Sequence, residues 1–403
     1  MPATSPPQPA SLHEAGAGPA PGTRGDFPLD PGLVFLNHGS FGSCPAPVRA
    51  YQRELQDRLE RDPVLFFLKD LEPLLDETRR VLGRLVGAEP SDIGFVPNAT
   101  HGTNAVLASY PFAPGDEILI TNHGYNAVNN AARRWAAFHG ASVTVASFPF
   151  PIASADDAVS GIAAAIGPRT KLLIVDHVTS PTGIVLPLDR IIRACDERGV
   201  DVLVDGAHAP GMLPLDITAL GPAYYTGNLH KWVCAPKGSA FLWVRPDKQT
   251  SFSPLVTSHG RNSQREGRSL YLQELDWMGT DDPSARLSVP RALAYLETLH
   301  ADGLAGVMRE NRALALLAQK RLAEHLAVPV PAPPDMIGSM AALPLPASAP
   351  RDLENRLYEH HRVRVPVFPF GERLLVRVSA QRYNSLADYE ALAAALAIEL
   401  TRT

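Results

Sequence analysis

Short apolar runs alternate with amphipathic stretches between residues 90 and 245, and this alternation predicts the core of the fold. The apolar runs predict strands at residues 93–96, 117–121, 142–146, 171–175, 202–204 and 223–225. Apolar positions at helical spacing predict helices between the strands, for example at residues 155–166. Repeated strand–helix units predict a mainly parallel sheet covered by helices, with ligands bound at the carboxyl ends of the strands.

The chain has a different character on either side of this region. Helical spacing predicts amphipathic helices at residues 49–61 and 70–86, and a long helical region begins near residue 285. Residues 328–334 are rich in proline, and residues 374–379 read as a strand. We therefore expect three parts: a flexible Pro/Ala/Gly-rich leader over 1–25, a large domain over 26–284 and a small C-terminal domain over 285–403. The N-terminal segment of the large domain is expected to join the small C-terminal domain.

Polar side chains lie at or just past the predicted strand ends, namely Asn98, His123, Asp176, Asp205 and Asn228. These positions predict a ligand site along one edge of the sheet. The chain contains neither a GxGxxG turn nor a GxxxxGKS or GxxxxGKT loop. Neither a dinucleotide nor a nucleoside triphosphate is therefore indicated.

Asp205 and Lys231 follow two successive apolar runs and form the first candidate pair for chemistry. A lysine amine can form a Schiff base with an aldehyde, and a carboxylate can keep a heterocyclic nitrogen protonated. Such a contact is worth roughly 4 kcal/mol at about 4 Å and an effective dielectric of about 20, before desolvation is subtracted. Alone, Asp205 could cap a loop and Lys231 could be a solvated charge. Together, in an apolar setting, they indicate pyridoxal 5'-phosphate (PLP).

The turn at residues 98–104 opens a predicted helix with small polar residues. Free N–H groups and the positive end of the helix dipole at such a position suit a phosphate group. Alternatively, Thr100 or Thr103 only caps the helix.

Composition narrows the classes of function. The 403 residues carry a net charge of −5, which gives no reason to expect nucleic acid or an anionic membrane as partner. Only three cysteines occur, without CxxC spacing, so we expect no metal site and no disulfide scaffold, and a reducing cytoplasm is the natural setting. The leader lacks the apolar core of a signal peptide, and no apolar run reaches the length of a membrane span.

Five sequence motifs resemble the class V aminotransferase family of fold-type I PLP-dependent enzymes. They are PNAT at 97–100, DGAH at 205–208, NLHKW at 228–232, FLNHGSFG at 35–42 and WMGTD at 277–281. The last two are most similar to the isopenicillin N epimerase subgroup. The resemblance covers roughly residues 30–400 and implies an α/β fold with a mainly parallel seven-stranded sheet and a smaller α+β C-terminal domain.

The resemblance also implies roles for individual residues. Lys231 would be the Schiff-base lysine and proton shuttle, Asp205 the partner of the ring nitrogen, and His208 a hydrogen-bond donor to the ring hydroxyl. Tyr125 would stack on the ring, with His123 as its competitor. The phosphate would be bound by Ala99, Thr100, Asn228 and His230.

Two further groups follow from the resemblance. Gly279 and Thr280 match a segment that reaches the phosphate of a partner subunit, which implies a homodimer with active sites at the interface. Arg377 resembles the family arginine that binds the substrate α-carboxylate, and Asn37 and His38 would join it. An edge-strand arginine facing water is the alternative for Arg377.

The implied activity is the removal of the α-proton from a small amino-acid-like substrate, and the resulting carbanion has three possible fates. They are epimerisation, β-elimination by a carbon–sulfur lyase acting on a conjugate such as hercynylcysteine sulfoxide, and transamination. A non-catalytic PLP-binding protein is the alternative of a different kind. No cysteine lies beyond Cys234, so a desulfurase with a nucleophilic cysteine in the C-terminal domain is not expected.

Overall fold

The computed structural model describes residues 23–401. Of the expected leader, residues 1–22 lie outside this range, and residues 23–25 belong to the first helix. The described residues form twelve strands: β1 Val34–Phe35, β2 Ile93–Val96, β3 Glu117–Thr121, β4 Ser142–Ala146, β5 Thr170–Asp176, β6 Asp201–Asp205, β7 Tyr224–Asn228, β8 Ala240–Val244, β9 Met340–Pro344, β10 Val363–Arg364, β11 Val367–Phe370 and β12 Arg373–Ser379.

Sixteen α-helices lie within the same residues. The first eight are α1 Thr23–Asp26, α2 His38–Phe41, α3 Ala46–Arg61, α4 Pro63–Leu65, α5 Leu71–Val86, α6 Ala99–Ser109, α7 Asn126–His139 and α8 Ala155–Ala165. The others are α9 Leu188–Asp196, α10 Ile217–Leu220, α11 Leu270–Asp276, α12 Ser284–Leu287, α13 Val289–Glu297, α14 Gly303–Leu326, α15 Leu353–His361 and α16 Leu386–Thr401. A π-helix, Phe66–Asp70, precedes α5. Short 3-10 helices lie at Pro90–Asp92, Pro246–Ser251, His259–Asn262 and Pro334–Met336.

The main sheet has seven strands in the order β2-β8-β7-β6-β5-β3-β4. Only β8 runs antiparallel to its neighbours, and the other pairings are parallel. Helices cover both faces because alternate residues of each strand point in opposite directions. Leu119 of β3, for example, packs into one core cluster and Ile118 into the other. The predicted mainly parallel seven-stranded sheet is confirmed.

Two smaller sheets complete the fold. An antiparallel sheet of β11, β12 and β9 packs with α14, and β1 pairs in parallel with β10. The N-terminal segment therefore packs onto the C-terminal part of the chain, although the domain boundary at 284/285 stays a prediction. No helix within residues 23–401 is long and apolar enough to cross a membrane.

Two helices begin earlier than the apolar pattern predicts. Helix α6 starts at Ala99 rather than near residue 105, because the Asn98 side chain accepts a hydrogen bond from the N–H of His101 and caps the helix. Helix α7 starts at Asn126 rather than near residue 131. Polar residues in the first turns hid both starts, and the first turn of α6 and Tyr125, which precedes α7, border the site described below.

Candidate active site

A cavity of about 340 Å³ opens at the carboxyl ends of β5, β6 and β7. Small-molecule sites occupy roughly 300–1,000 Å³. The cavity is lined by Ser40, Phe41, Pro97, Asn98, Ala99, Thr100, Tyr125, Asp176, Val178, Ser180, Asp205, Ala207, His208, Asn228, His230, Lys231, Lys237 and Gly238. Two other cavities among the described residues, of about 210 and 580 Å³, contain none of the predicted site residues.

Asp205 and Lys231 are both buried at this edge of the sheet. Asp205 ends β6, and its Oδ1 accepts a hydrogen bond of 3.0 Å from the N–H of Ala207. Gly206 is required between them because a Cβ there would lie 2.2 Å from the ring of Tyr225. Lys231 lies in the turn after β7, and its carbonyl accepts a hydrogen bond of 3.0 Å from Nε2 of His38.

The amine of Lys231 lies 3.0 Å from Nε2 of His208. The indole N–H of Trp232 lies 3.5 Å from Nδ1 of His208 and can only donate, so Nδ1 is the acceptor and Nε2 carries the proton. Nε2 then donates to the Lys231 nitrogen, which requires a neutral amine. Burial, followed by the charge of Lys231, lowers the pKa of His208 well below its ordinary value, which agrees with a neutral ring.

Lys231 itself is tuned toward the neutral form. Burial, followed by the charge of Arg377, lowers its pKa from 10.5 to about 7, although Asp205 and Asp176 act in the opposite direction. We expect apoprotein to react with PLP at a rate that rises with pH through a midpoint near 7, because only the neutral amine is nucleophilic. Replacing Arg377 with glutamine should raise this midpoint. The visible absorbance of bound cofactor, followed against pH, measures both, and a midpoint near 10 in the unsubstituted protein would contradict the assignment.

Two carboxyl groups lie side by side beneath the cavity. Asp176 ends β5 and is the register partner of Asp205 on the neighbouring parallel strand. Burial, and next the nearby Asp205, raise the pKa of Asp176 well above its usual range. Burial also raises the pKa of Asp205, while the N–H of Ala207 and the charge of Lys231 oppose this shift.

The first turn of α6 forms another wall through Ala99 and Thr100. Its N–H groups have no partner inside the helix and carry the positive end of the helix dipole. The N–H of Ala99 is oriented by a hydrogen bond of 2.9 Å to Oδ1 of Asn228, so the predicted phosphate residues come together. Nδ1 of His230 is buried without a hydrogen-bond partner among the described residues. The positive end of this helix suits a phosphate, and the ring nitrogen of PLP suits the carboxylate of Asp205.

The structure separates the two aromatic candidates. Tyr125 borders the cavity and is 44% exposed. His123 is buried, lies outside the cavity lining and stacks on Phe148 with ring centroids 3.9 Å apart. Its ring nitrogens contact Thr182 and the carbonyl of Phe148. Tyr125 therefore stays the candidate for stacking on the cofactor.

Arg377 lies on β12, directly behind the cavity wall. It is 4% exposed and donates hydrogen bonds to the carbonyl of Ser180 and to Oγ of Ser40 at 3.2 Å, both lining residues. No carboxylate among residues 23–401 lies within 4.0 Å of its guanidinium, and its Nε has no partner there. Burial lowers the pKa of Arg377 to about 10, so the group stays charged at neutral pH.

The remaining predicted site residues lie outside the cavity lining. Asn37 accepts a hydrogen bond of 2.5 Å from Ser40 through its side-chain oxygen and thus joins the Arg377 network. His38 is fully buried between the carbonyl of Lys231 and the hydroxyl of Tyr383, 2.8 Å from its Nδ1. Gly279 and Thr280 lie at or near the surface and do not border the cavity of their own chain.

Several lining residues were missed by sequence reasoning, among them Ser40, Ser180 and Lys237. Serine has no distinctive pattern, and Lys237 was overshadowed by Lys231. Asp176 was noted only as a strand-end residue, and the register of β5 with β6 is what reveals its pairing with Asp205.

One group of possible metal ligands is present in the part of the chain that the structure describes. His360, His361 and Glu399 bring their ligand atoms within 4.8 Å of one another, outside the cavity. The two histidines lie 3.0 and 2.9 Å from the same oxygen of Glu399, which is also the geometry of an ordinary hydrogen-bonded pair.

Gly42 sets the distance between the N-terminal segment and the Lys231 loop. Its φ is +67°, and a Cβ there would lie 1.9 Å from the carbonyl oxygen of His230. We expect Gly42→Ala to lower the free energy of unfolding by more than the roughly 1–3 kcal/mol of backbone strain alone, because its ψ of 172° combined with this φ is open essentially to glycine only. Gly221→Ala is the control for a positive φ without a close contact, since Gly221 has a φ of +72° and a ψ of 25° with no atom within 4 Å. If chemical denaturation gave the same loss of unfolding free energy for both variants, the contact with His230 would make no contribution to stability.

Comparisons with known proteins agree with the geometry. A family model described as Aminotransferase class-V matches residues 66–392. Isopenicillin N epimerase from Amycolatopsis lactamdurans is 35% identical over 389 residues, which cover 93% of this chain and 96% of that protein. A probable chloroplastic L-cysteine desulfhydrase from Arabidopsis thaliana is 32% identical over 393 residues, covering 90% and 82%.

Solved structures share the fold. The cystine C-S lyase C-DES, in complex with cysteine persulfide, superposes with a TM-score of 0.78 at 21% identity and covers 91% of this chain and 98% of that chain. The predicted fold, enzyme class and cofactor are thereby confirmed, whereas the roles of individual residues and a cytoplasmic location stay predictions. The chain belongs to the class V aminotransferase family of PLP-dependent enzymes.

Proposed function

We propose that this enzyme removes the α-proton of an amino-acid substrate and returns it with inverted configuration, as an epimerase or racemase. The observation that carries α-proton removal from an amino acid is the buried guanidinium of Arg377, which has no carboxylate within 4.0 Å among the described residues, and the similarity to isopenicillin N epimerase supports inversion. It lies near enough to Lys231 to lower the pKa of that amine. A carboxylate on the carbon that loses its proton to Lys231 would complete the charge balance.

Each residue then has a definite task. PLP supplies an electron-accepting ring that makes the α-proton removable. Lys231, held neutral beside His208, is the base at Nζ. Asp205 binds the ring nitrogen, Tyr125 covers the ring, and the first turn of α6 binds the phosphate together with Asn228 and His230. Arg377 and Asn37 orient the substrate carboxylate. Both are held at the cavity wall by hydrogen bonds: Asn37 to Ser40, and Arg377 to Ser40 and Ser180.

The relatives support this reaction and also a second one. The epimerase from Amycolatopsis lactamdurans aligns over nearly its whole length. The Arabidopsis desulfhydrase indicates β-elimination from a sulfur-containing amino acid as the second candidate. Both reactions begin by removing the same α-proton, and transamination is the third fate that the family offers.

A desulfurase reaction through a thiol of this chain has no support. Cys44, Cys195 and Cys234 are all buried. Burial raises the pKa of Cys44 to about 11 and that of Cys195 to about 12, so neither is a thiolate at neutral pH.

Incubation of the holoenzyme with a panel of L-amino acids in deuterium oxide tests the proposal. Epimerisation gives deuterium at the α-carbon together with the D-isomer, followed by NMR and chiral chromatography. Pyruvate with released sulfide from cysteine-type substrates would instead establish the lyase, and a keto acid with aminated cofactor the transaminase. Absence of exchange with every substrate, or a protein that takes up no PLP, would overturn the proposal.

We also propose a homodimer whose sites are completed across the interface. Thr280 is exposed outside the cavity of its own chain. Phe41, which lines the cavity, is 72% exposed, and Val64 and Leu68 are 67% and 69% exposed. Such apolar side chains favour a partner surface. Light scattering that gives the mass of a single chain at micromolar concentration would contradict this state.

A further inference from the structure

Asp176 is a buried carboxyl group at the cavity to which the proposed function gives no task. It is 3% exposed and borders the same space as Asp205. Register partners on neighbouring parallel strands lie about 4.8 Å apart and point to the same face of the sheet. Because Asp176 and Asp205 are such partners, their side chains lie next to each other on the same face of the sheet.

The contacts of Asp176 connect the two halves of the site. Its Oδ2 accepts a hydrogen bond of 3.2 Å from the N–H of Ser180, and the nearby backbone N–H of Tyr125, like that of Ser180, acts to lower the pKa of the same carboxyl. The carbonyl of Ser180 in turn accepts from Arg377. Asp176 thus lies between the segment that contains Tyr125 and the segment of Ser180, which in turn holds Arg377.

The charges around Asp176 do not suffice for two carboxylates. Asp205 acts on Asp176 from the end of β6, and Lys231 from the loop after β7. His208 borders the same cavity, Arg377 lies behind its wall on β12, and His177 follows Asp176 directly after the end of β5. Lys231, held neutral beside His208, supplies no full positive charge, and Arg377 already donates hydrogen bonds to Ser40 and Ser180. Two like charges at this separation in a buried site cannot both persist without a partner for each.

We propose that Asp176 is a positioning residue held as a neutral carboxylic acid, which donates its proton to Asp205 and fixes the backbone of Tyr125 and Ser180. The inference rests on the proposed function for the role of Asp205 at the ring nitrogen. Asp205 is then the single full negative charge on the floor of the site. Asp176 acts through Asp205, Tyr125 and Ser180 and does not itself contact the reacting atoms.

The test is the stability of the apoprotein against pH, compared with Asp176→Asn, which keeps the shape, the acceptor and a donor. A group protonated in the folded state but ionised when unfolded contributes stability below the unfolded pKa of about 4 and loses it as pH rises toward the folded pKa. Relative to the wild type, the variant should therefore gain up to about tenfold in its folding equilibrium constant per pH unit above about 4. Chemical denaturation between pH 5.5 and 8 measures this difference without any turnover.

A stability difference between the variant and the wild type that stays constant from pH 5.5 to 8 would show an ionised Asp176 and overturn the inference. If the amide variant yields no folded protein, Asp176→Ser, which keeps a hydroxyl donor, takes its place in the same titration. In the holoenzyme, Asp176→Ala should raise KM more than it lowers kcat, since Ser180 and Arg377 lose their anchor, and asparagine should restore at least about tenfold in kcat/KM. Equal loss in both variants would also overturn the inference, whereas failure of all substrates in the wild type would count against the proposed function alone.

Discussion

Replacing Lys231 with alanine is expected to abolish covalent attachment of PLP and to lower turnover by roughly 10²–10⁴-fold through lost proton transfer alone. The amine is buried, lies 3.0 Å from His208 and has a pKa lowered to about 7, so it is nucleophilic and basic near neutral pH. The visible absorbance of bound cofactor and the mass of the borohydride-reduced protein measure attachment. In the wild type, the reduced cofactor should be found on the peptide that contains Lys231.

Lys237→Ala is the matched control for this experiment. Lys237 borders the same cavity, but its amine donates a hydrogen bond of 3.2 Å to the carbonyl of Gly42. Covalent attachment should therefore survive the loss of Lys237. Cofactor fixed to Lys237, or normal attachment in Lys231→Ala, would refute the assignment.

The sequence predicted most of the main sheet because most of its strands are buried on both faces and appear as apolar runs, whereas the edge strand β4 is partly exposed. β2, β3 and β4 have the predicted bounds, and β5 extends the predicted strand by one residue at each end. The starts of α6 and α7 were placed too late because their first turns contain polar residues, and the first turn of α6 also lines the cavity. The local spacing of apolar residues thus identified the helices and strands, but it did not identify the N-terminal ends of the helices next to the site.

The long-range part of the site could not be read from local patterns. Arg377 reaches the cavity because β12 pairs with β9 and because Ser379 bonds to Leu36, a contact between opposite ends of the chain. Only the resemblance to a family connected Arg377 with Lys231. The strand-end position of Asp176 placed it at the ligand-binding edge of the sheet, but its pairing with Asp205 could not be inferred until the register of β5 with β6 was known.

Substitution of Arg377 is expected to weaken substrate binding, and its effect on the protonation of Lys231 is kept out by comparing the variants at a pH above the Lys231 midpoint of each. Arg377→Ala should lower kcat/KM roughly 10²-fold or more, mainly through KM, since hydrogen bonds to a charged group are worth about 1.5–3 kcal/mol each. Arg377→Lys should recover only part of this loss, because an ammonium cannot bind a carboxylate with two parallel donors. Steady-state kinetics with the best substrate of the panel measures both variants.

Two controls make the assignment of Arg377 decisive. Arg373 lies on the same strand with an exposed side chain, so Arg373→Ala should leave KM within about twofold, as expected for a surface change away from the site. An amine analogue that lacks the α-carboxylate should bind equally weakly to wild type and Arg377→Ala, because the guanidinium has nothing to hold. If Arg377→Ala instead weakens the analogue and the amino acid alike, the guanidinium supports the cavity wall through Ser40 and Ser180, and the carboxylate site lies elsewhere.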